Sequence, residues 1–497
     1  MRVTSSVAGL LSVGLTTALT TREGYDSLSD CLGRFKVPVK WTDSPDYPEL
    51  VEPFNLRLQY KPIAIALPTT AKHVQDSVTC AKANNVKVQA KSGGHSYASF
   101  SSGGKDGSLV IFLQGFQDVK LDTKTNIAKV GGGNRLGNLA QAIWDQGKRA
   151  LPHGTCPGVG IGGHFTHGGY GHTSRHWGIA LDTIVALDVV LANGKLIHAS
   201  STENQDVYWA LRGAADSIGI IVNFYLKTEA APTSITYWSF QWPTGFFDSE
   251  SNFVNSWLHI QDFSRNKSVV DDRISFGNYL DGTVFNIGGA FFGSVEEFNA
   301  KIAPEFLRTL PAPGKTEVKA YSWIDYLTLV SDKTSIVIPK TGYDDHDNFF
   351  AKSITVPEKD GWSAASLKAW YQYIRKGAPT KFFVITNLYG GPGSQINTKD
   401  TSFAAYSERD SLFVSQLYGY APNGNDSVPF INGLHSAIVS AAPQTEFGAY
   451  LNYVDPSLAP KEAHQLYYGE ELYKRLVKVK EGVDPGKVFW NPQAIGN

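Results

Sequence analysis

The chain is poor in cysteine, in net charge and in long apolar runs. It has 497 residues, only three cysteines and a formal net charge of −1. Because no long basic run is present, nucleic acid and acidic membrane surfaces are poor partner candidates. No stretch beyond the N-terminus reaches the roughly 18 apolar residues of a membrane helix. We therefore expect a soluble mature protein, without internal repeats, and with small-molecule rather than nucleic-acid or membrane partners.

The first residues resemble a targeting segment. Arg2 supplies a positive start, residues 7–15 are mildly apolar, and small residues follow. This pattern predicts a secretory signal peptide over residues 1–20, and a frayed N-terminus is the alternative. Two sequons, Asn266-Lys-Ser and Asn425-Asp-Ser, fit secretion and predict a glycoprotein.

The odd cysteine count leaves one thiol unpaired or otherwise used in a secreted chain. Cys31 and Cys80 could close a disulfide near the N-terminus, whereas Cys156 lies among glycines. Beside His153, Cys156 could be the nucleophile of a thiol hydrolase. A small buried thiol is the purely structural alternative.

Glycine is unusually dense between Gly154 and Gly171. The run Gly158-Val-Gly160-Ile-Gly-Gly163 satisfies the dinucleotide-binding pattern, with Asp182 following 19 residues later. A Rossmann fingerprint needs a strand before the glycines and a helix after them. Residues 152–157 predict no strand, and the glycines after Gly163 predict a poor helix. We therefore expect a loop whose backbone N–H groups approach an anion closely.

Histidines also cluster in this part of the chain, at positions 153, 164, 167, 172 and 176. Their spacings match no compact zinc signature, and no second thiol lies nearby. Ordinary hydrogen bonding is the favoured interpretation, and no metal site is predicted.

The order of patterns predicts an α+β fold. Thr69 and Thr70 can cap a helix with Val74, Val78 and Ala81 on one face. Residues 109–113 and 184–191 read as strands, 134–147 as a helix, and 209–224 as a glycine turn leading into a strand. After Ala231-Pro232 the sequence becomes aromatic-rich strands, for example at 285–292. Helices are expected near 296–309, 362–376 and 461–480.

Two motifs together carry a family resemblance: Lys91-Ser-Gly-Gly-His95-Ser-Tyr97 and His153-Gly-Thr-Cys156-Pro-Gly-Val-Gly-Ile-Gly-Gly163. They resemble the FAD-linked oxidases of the vanillyl-alcohol oxidase superfamily, in the berberine-bridge-enzyme-like branch. Fungal glucooligosaccharide and chitooligosaccharide oxidases are especially similar, over nearly the whole chain. Further matches include Gly168-Gly-Tyr-Gly171, Asn452-Tyr453 and the tail Asn491-Pro-Gln493.

The resemblance implies a two-domain PCMH-type FAD-binding fold. Residues 21–57 would lead into an FAD-binding domain at 58–229, which residues 450–497 would complete. Residues 230–449 would form a substrate domain, built on an antiparallel sheet covered by helices. The resemblance also implies a disulfide between Cys31 and Cys80, and a monomer is expected.

The resemblance further implies FAD bound covalently at two points, with His95 attached to the 8α-methyl and Cys156 to C6 of the flavin ring. A flavin that takes a hydride needs a rigid position against the substrate carbon, which two tethers provide. Other residues expected to contact the cofactor are Ser92, Gly93, Gly94, Ser96, Gly160, Gly163, His164, Gly169, Tyr170, Gly171, Asp182, Gly219, Ile220 and Asn491.

In the family, a tyrosine assisted by an aspartate removes the substrate's hydroxyl proton. Tyr453 matches the tyrosine, but the aspartate position is Asn387 here. Since an amide can orient a phenol but cannot take up its proton, either Tyr453 works alone or the reaction differs. Gly-rich sequence is also expected after Gly213, where this chain has Ala214-Ala215-Asp216.

The expected substrate contacts are mixed. Tyr97 and Gln416 match sugar-contacting residues of the family. A family glutamate is replaced by Tyr279, and a family glutamine by Ile385. These departures leave the identity of the substrate open.

Three functions remain in view. The first is an oxidase that converts an alcohol or hemiacetal, such as an oligosaccharide reducing end, with O2 as acceptor and hydrogen peroxide as product. The second is a biosynthetic oxidoreductase that dehydrogenates or cyclises a smaller secondary metabolite. The departures from the family at Asn387, Ile385 and Tyr279 favour this function over a strict sugar oxidase. The third is a glycan-binding protein without enzymatic activity.

Overall fold

The computed structural model describes residues 27–343 and 346–497. The expected signal peptide at 1–20 and the start of the lead-in segment lie outside these residues. No helix in the described part is long and apolar enough to cross a membrane.

The strands of the described chain, in order, are β1 (Val39–Trp41), β2 (Ala64–Ala66), β3 (Val88–Lys91), β4 (Leu109–Phe112), β5 (Val119–Asp122), β6 (Ile127–Gly131), β7 (Arg149–Ala150), β8 (Ile184–Val190), β9 (Leu196–Ser200), β10 (Ile220–Lys227), β11 (Glu229–Ala230), β12 (Ile235–Trp242), β13 (Gly277–Leu280), β14 (Phe285–Phe291), β15 (Lys315–Tyr321), β16 (Phe349–Pro357), β17 (Phe382–Leu388) and β18 (Ser411–Tyr420).

The α-helices are α1 (Leu28–Arg34), α2 (Tyr47–Val51), α3 (Ala71–Ala83), α4 (Leu136–Gly147), α5 (Ile161–Thr166), α6 (Ser174–Trp177), α7 (Gln205–Ile218), α8 (Glu250–Arg265), α9 (Val295–Glu297), α10 (Ala303–Leu307), α11 (Trp323–Val330), α12 (Ala364–Ile374), α13 (Val428–Ser440) and α14 (Pro460–Val483). Short 3-10 turns and one π-turn, at Phe298–Ile302, connect some of them.

The first part of the chain forms two small sheets. One has the order β1-β2-β4-β3, with β2, β3 and β4 parallel, and the other is the antiparallel sheet β5-β6-β10-β8-β9. Helix α3 begins where the sequence predicts, because the Thr70 side chain accepts a hydrogen bond from the backbone N–H of His73. Its buried face, which includes Val74 and Val78, packs in the core beside the first sheet.

A seven-stranded antiparallel sheet dominates the second part, in the order β15-β12-β14-β13-β17-β18-β16. Helices α8, α12 and α13 cover one face, and the core between them is aromatic, with Trp238, Trp257 and Trp370 fully buried. The opposite face of the sheet lines the cleft described below. The expected α+β fold, with helices covering an antiparallel sheet, is confirmed.

The C-terminal segment packs against the first part of the chain. Helix α14 contacts α7, and Val88 donates its N–H to the carbonyl of Val488. The buried Lys480 ammonium contacts the Asp484 carboxylate at 2.6 Å and also donates to the Ser217 carbonyl. Residues separated by more than 250 positions are thereby held together.

One local prediction was wrong. Residues 209–218 are not a turn but the end of α7, which is kinked at Gly213, where φ is 151°. A Cβ at Gly213 would lie 1.7 Å from the Ala405 carbonyl oxygen, so tertiary packing fixes this kink. The segment after Gly160 forms only a six-residue helix, α5, which ends before Gly168, in line with the poor helix that its glycines predict.

Cys31 and Cys80 form a disulfide between α1 and α3, with 5.7 Å between their Cα atoms. The expected pairing is confirmed, and Cys156 takes no part in it.

Replacing both cysteines by alanine should lower the free energy of unfolding by about 2–4 kcal/mol, because the disulfide restricts a long loop of the unfolded chain. Denaturant unfolding measures this difference. A reductant should lower the unfolding midpoint of the unaltered protein towards that of the variant. It should leave the midpoint of the variant unchanged. Equal midpoints without reductant would contradict the expectation.

Candidate active site

A cleft of about 800 Å³, open to solvent, runs between the first part of the chain and the seven-stranded sheet. On one side lie the loop with His95 and the loop with Cys156, and on the other lie side chains of β12, β13, β14, β17 and β18. The cleft therefore brings together both predicted tether residues and both predicted catalytic residues.

The two tether loops touch each other through glycine. A Cβ on Gly93 would lie 2.2 Å from the Gly160 nitrogen, and one on Gly160 would lie 2.0 Å from the Gly93 nitrogen. Only glycine permits so close an approach of two backbones. The contact explains why both loops need glycine at these positions.

Polar side chains clamp the same two loops. Arg135 donates to the carbonyls of Gly93, at 2.9 Å, and Gly158, at 2.5 Å. The Ser92 hydroxyl accepts from the Gly162 N–H at 3.2 Å and donates to the Gly132 carbonyl at 2.7 Å. Sequence reasoning missed Arg135, since it belongs to neither motif.

The two tether side chains face the cleft in different ways. The His95 imidazole stacks on the Phe54 ring, with 4.5 Å between centroids and 20° between planes. The Cys156 side chain is exposed and lines the same cleft. A ligand between the two loops would therefore meet the stacked imidazole of His95 and the accessible sulfur of Cys156.

Three polar side chains form a chain at the centre of the cleft. The Asn387 amide donates to the Tyr170 hydroxyl at 3.1 Å, and the Tyr170 and Tyr453 hydroxyls lie 2.9 Å apart. Asn387 thus contacts Tyr170, which lies between it and Tyr453. A Cβ at Gly277 would fall 2.4 Å from the Asn387 amide oxygen, so this glycine makes room for the amide.

Burial raises the pKa of Tyr453, and the hydrogen bond from Tyr170 acts in the opposite direction. The pKa of Tyr170 lies well above its ordinary value, chiefly through burial and secondly through the neighbouring Tyr453. If one hydroxyl of the pair ionises, it is therefore Tyr453, with Tyr170 donating to it.

The Tyr453 ring lies parallel to that of Tyr97, with centroids 5.3 Å apart and 19° between planes. The Tyr97 hydroxyl accepts from the Gln416 amide at 2.6 Å. Burial raises the pKa of Tyr97 well above its ordinary value, so this phenol stays neutral. Tyr97 and Gln416 therefore form one wall against Tyr453.

Backbone pairing sets a single row of residues across the sheet. In order they are Gln241 (β12), Asn286 (β14), Tyr279 (β13), Ile385 (β17) and Gln416 (β18), each directly opposite the next. Directly paired residues point to the same face of a sheet, and all five line the cleft. Sequence reasoning found the last three and missed Gln241 and Asn286, because strand register is not visible in one sequence.

Most of the predicted cofactor residues line the cleft: Ser92, Gly93, Gly94, His95, Ser96, Cys156, Gly160, Gly163, His164, Tyr170, Gly171 and Gly219. Four others lie behind its surface. Gly169 donates its N–H to the Tyr450 hydroxyl at 2.7 Å, and Ile220 is buried in β10. Asn491 contacts the cleft only through Asp216, to which its amide donates at 2.7 Å.

Asp182 is the fourth, and it forms a buried ion pair. Its carboxylate contacts the Arg409 guanidinium at 2.6 Å, with both side chains about 5–6 % exposed, and accepts from the Ile179 N–H. A cofactor contact through this carboxylate therefore has no support in the geometry.

Replacing Arg409 by leucine should cost about 3–5 kcal/mol of stability, because it leaves the Asp182 carboxylate buried without its cation. The double variant Asp182→Leu/Arg409→Leu should recover much of that loss. Denaturant unfolding measures the stability of both variants. Flavin content then shows whether Asp182 contacts the cofactor or serves only as the ion-pair partner of Arg409. Loss of flavin from the double variant, with the fold intact, would restore the cofactor role.

Asp216 stands where the resemblance predicts glycine. Burial raises the pKa of its carboxyl, but hydrogen bonds from His167 and Asn491 outweigh this and leave the pKa lowered. Ala215 and Asp216 line the cleft, whereas Ala214 is buried in the core. An anion thus faces the cofactor end of the cleft.

The clustered histidines have separate partners. His164 accepts from the Gly154 N–H at 3.0 Å, and burial lowers its pKa to about 3. His153 lies 2.7 Å from the Gly154 carbonyl, His172 pairs with Tyr326, and His176 pairs with Asp272. Within the described chain, no three potential ligands are grouped to hold a metal ion.

Comparison with known proteins places the chain in a family. Residues 62–200 match the FAD binding domain, and residues 449–496 match the family described as berberine and berberine like. A carbohydrate oxidase of Microdochium nivale is 36 % identical over 501 residues, covering 98 % of this chain and 99 % of that protein. The chain belongs to the berberine-bridge-enzyme-like, FAD-linked oxidoreductases.

Solved structures of this family share the fold. Xylooligosaccharide oxidase from Myceliophthora thermophila C1, in complex with xylobiose, has a TM-score of 0.89 and 35 % identity, over 95 % of this chain and 99 % of that one. Glucooligosaccharide oxidase from Acremonium strictum, with a 6-S-cysteinyl, 8α-N1-histidyl FAD, has a TM-score of 0.87 and 30 % identity, over 95 % and 99 %. The resemblance stated from the sequence is confirmed, and the protein is an FAD-linked oxidoreductase. A glycan-binding protein without enzymatic activity is thereby excluded.

Proposed function

We propose that this protein oxidises the reducing end of an oligosaccharide to a lactone, using FAD attached to His95 and Cys156 and passing the electrons to O2. The observation that carries this proposal is the cleft itself. It brings both tether side chains together with the Tyr453 hydroxyl and a polar strand face. Residues 58–229 with 450–497 would hold the FAD, and residues 230–449 would hold the substrate.

The residues present fit a doubly attached flavin. The two glycine loops contact each other at Gly93 and Gly160, and both border the same cavity. An exposed sulfur and a stacked imidazole line that cavity. The glucooligosaccharide oxidase with cysteinyl and histidyl flavin bonds is similar along almost the whole chain. When bound, FAD accepts a hydride at its N5 atom.

The side chains of this protein supply the proton chemistry. The Tyr453 phenolate accepts the proton of the substrate's hydroxyl, which lets hydride leave the same carbon. Tyr170 donates a hydrogen bond to that phenolate, and Asn387 donates to Tyr170 and fixes its orientation. Tyr97, held by Gln416, packs against the Tyr453 ring and orients it. In this arrangement Tyr453 is the base, while Asn387 and Tyr170 position it.

The alternative substrate is a smaller secondary metabolite. It is favoured by the apolar side chains of Ile385, Leu329 and Val330 in the cleft wall. The polar row on the sheet supports the sugar over this alternative, since three of its five members are amides.

A peroxide assay tests the proposal. The purified protein is incubated aerobically with xylose, glucose, xylobiose, cellobiose and chitobiose, and in parallel with secondary alcohols that carry an aromatic ring. Peroxide formed with a sugar, together with the aldonic acid as product, is expected. Peroxide formed only with the aromatic alcohols would contradict sugar oxidation and support the secondary metabolite as the substrate.

We also propose that the protein is secreted as a monomer and glycosylated at Asn266 and Asn425. The Asn425 side chain is exposed and Asn266 is partly exposed, at the end of α8. Glycosidase treatment of protein from the culture medium should reduce its mass at both sites. Protein found only inside the cells would contradict secretion.

A further inference from the structure

Phe54, an aromatic residue of the lead-in segment (residues 21–57), covers the imidazole of His95. The two rings are stacked, with 4.5 Å between centroids and 20° between planes. Phe54 is partly buried, and both residues line the cleft. Phe54 lies outside both tether motifs and takes no part in the proton chemistry proposed above, which leaves its stack on the tether residue to be explained.

The stack fixes the plane of the His95 ring. Rotation about the bond between Cβ and the imidazole is only loosely restricted by the side chain itself, because this torsion has broad minima. A ring that packs flat against Phe54 cannot turn without losing the stack. Since the lone pair of an imidazole nitrogen lies in the ring plane, the stack also sets the direction in which His95 can form a bond.

Hydrogen bonds hold the backbone around Phe54 from two sides. The Phe54 carbonyl accepts from the Asp347 N–H at 2.9 Å, and the Leu56 N–H donates to the Asp347 carbonyl at 2.9 Å. On the other side the Asn55 side chain, which is buried, donates to the Tyr97 carbonyl at 2.7 Å. The segment is thereby bound both to the chain just before β16 and to the loop that carries His95.

Two further rings hold the Phe54 ring itself. Phe349 meets it edge-on, with 5.5 Å between centroids and 61° between planes. Tyr97 lies nearly parallel to it at 6.1 Å and 21°. Because both its backbone and its ring are held by other residues, Phe54 gives His95 a fixed surface to pack against.

The bond to His95 makes a strict demand on geometry. It joins an imidazole nitrogen to the 8α carbon, while one C–H bond of the methyl group and the imidazole N–H bond break and release two protons. The two electrons that remain reduce the flavin ring, and O2, the acceptor of the proposed reaction, takes them up to give hydrogen peroxide. The nitrogen must approach the carbon to about 3–3.5 Å with its lone pair aligned. The Cys156 sulfur reaches the flavin from a different loop, so its bond does not depend on the plane of the imidazole.

We propose that Phe54 is a positioning residue for the attachment of FAD at His95. Its ring holds the imidazole in the plane that aims a nitrogen at the 8α carbon. Loss of the ring therefore slows attachment at His95 and leaves attachment at Cys156 unaffected. This inference rests on the proposed double attachment of the flavin and adds to it a residue outside both motifs.

The test places Phe54→Leu in two backgrounds of the full chain. In Cys156→Ala any attached flavin is bound through His95, and in His95→Ala it is bound through Cys156. Protein from riboflavin-starved cells is mixed with FAD, and the flavin in acid-precipitated samples is followed over time. In the first background Phe54→Leu should slow attachment at least tenfold, since a misplacement of about 1 Å can cost about 10²-fold. In the second background the rate should not change.

Two further variants separate the ring from its bulk. Phe54→Tyr keeps the flat ring, so it should attach flavin at His95 as fast as the Cys156→Ala parent. Phe35→Leu removes a phenylalanine that follows α1 and is 38 % exposed, outside the cleft, and should also leave the rate unchanged.

An unchanged rate for Phe54→Leu in the Cys156→Ala background would overturn the inference and leave the double attachment standing. Equal slowing in both backgrounds would also overturn it, because a general loss of fold or of flavin binding affects both bonds. If the Cys156→Ala parent attaches no flavin at all, the proposed bond to His95 fails, and the inference fails with it.

Discussion

Replacing Tyr453 by phenylalanine should reduce kcat by about 10²–10⁴-fold, which is the usual contribution of a positioned base. The ring should stay in place, since it packs against Tyr97. Flavin absorbance should therefore be unchanged, and reduction of the flavin under anaerobic conditions should slow by the same factor. Stopped-flow measurement of that reduction separates the proton step from reoxidation by O2.

The pH profile gives this prediction a second readout. As the proposed base, Tyr453 would work only when deprotonated, and burial raises its pKa. Below that pKa the phenolate fraction grows with pH, so kcat/KM of the unaltered protein should rise from neutral towards alkaline pH. In Tyr453→Phe this rise should disappear.

Tyr371→Phe is a suitable control, because it removes a hydroxyl that bonds only the Phe247 carbonyl, outside the cleft. It should leave both kcat and the pH profile unchanged. Full activity of Tyr453→Phe would exclude Tyr453 as the base and leave Tyr170 as the candidate.

Loss of both tethers should have the second large effect. The single variants His95→Ala and Cys156→Ala should each retain flavin on the polypeptide through the remaining bond. The double variant should release all of its flavin on denaturation, and most of its activity should depend on added FAD. Absorbance of the acid-precipitated protein, compared with the supernatant, measures the attached fraction.

The two single variants are controls for each other. If either one alone releases its flavin completely, then only one covalent bond exists in the unaltered protein. The disulfide variant Cys31→Ala/Cys80→Ala should keep both tethers, since these sulfurs lie between α1 and α3.

The motifs could be located from the sequence because their chemistry depends on local spacing. His95 and Cys156 each lie in a glycine-rich stretch, and glycine-rich stretches indicate places where two backbones approach closely. The structure shows that approach as the contact between Gly93 and Gly160. Helix α3 was predictable for a similar reason, because both its capping residue and its apolar face can be recognised within one short stretch of sequence.

The rest of the site depends on contacts between distant residues. Tyr170 and Tyr453 are 283 positions apart, and only the folded chain puts Tyr170 between Asn387 and Tyr453. Gln241 and Asn286 join the cleft through strand register, which a single sequence does not specify. The ion pair between Asp182 and Arg409 was equally hidden, because these two residues are 227 positions apart.

Asn387 stands where the family resemblance predicts an aspartate. Because its amide donates to Tyr170 rather than accepting from Tyr453, it cannot serve as a proton acceptor in the chain of phenols. If Tyr453 is the base, as we propose, Asn387 therefore cannot take the substrate's proton on from it.

The most direct test of a doubly attached flavin is mass spectrometry of a protease digest of the unaltered protein. One flavin should link two peptides, one containing His95 and the other containing Cys156, in a single cross-linked species. Flavin found on one peptide only, or released entirely from the denatured chain, would contradict the double attachment.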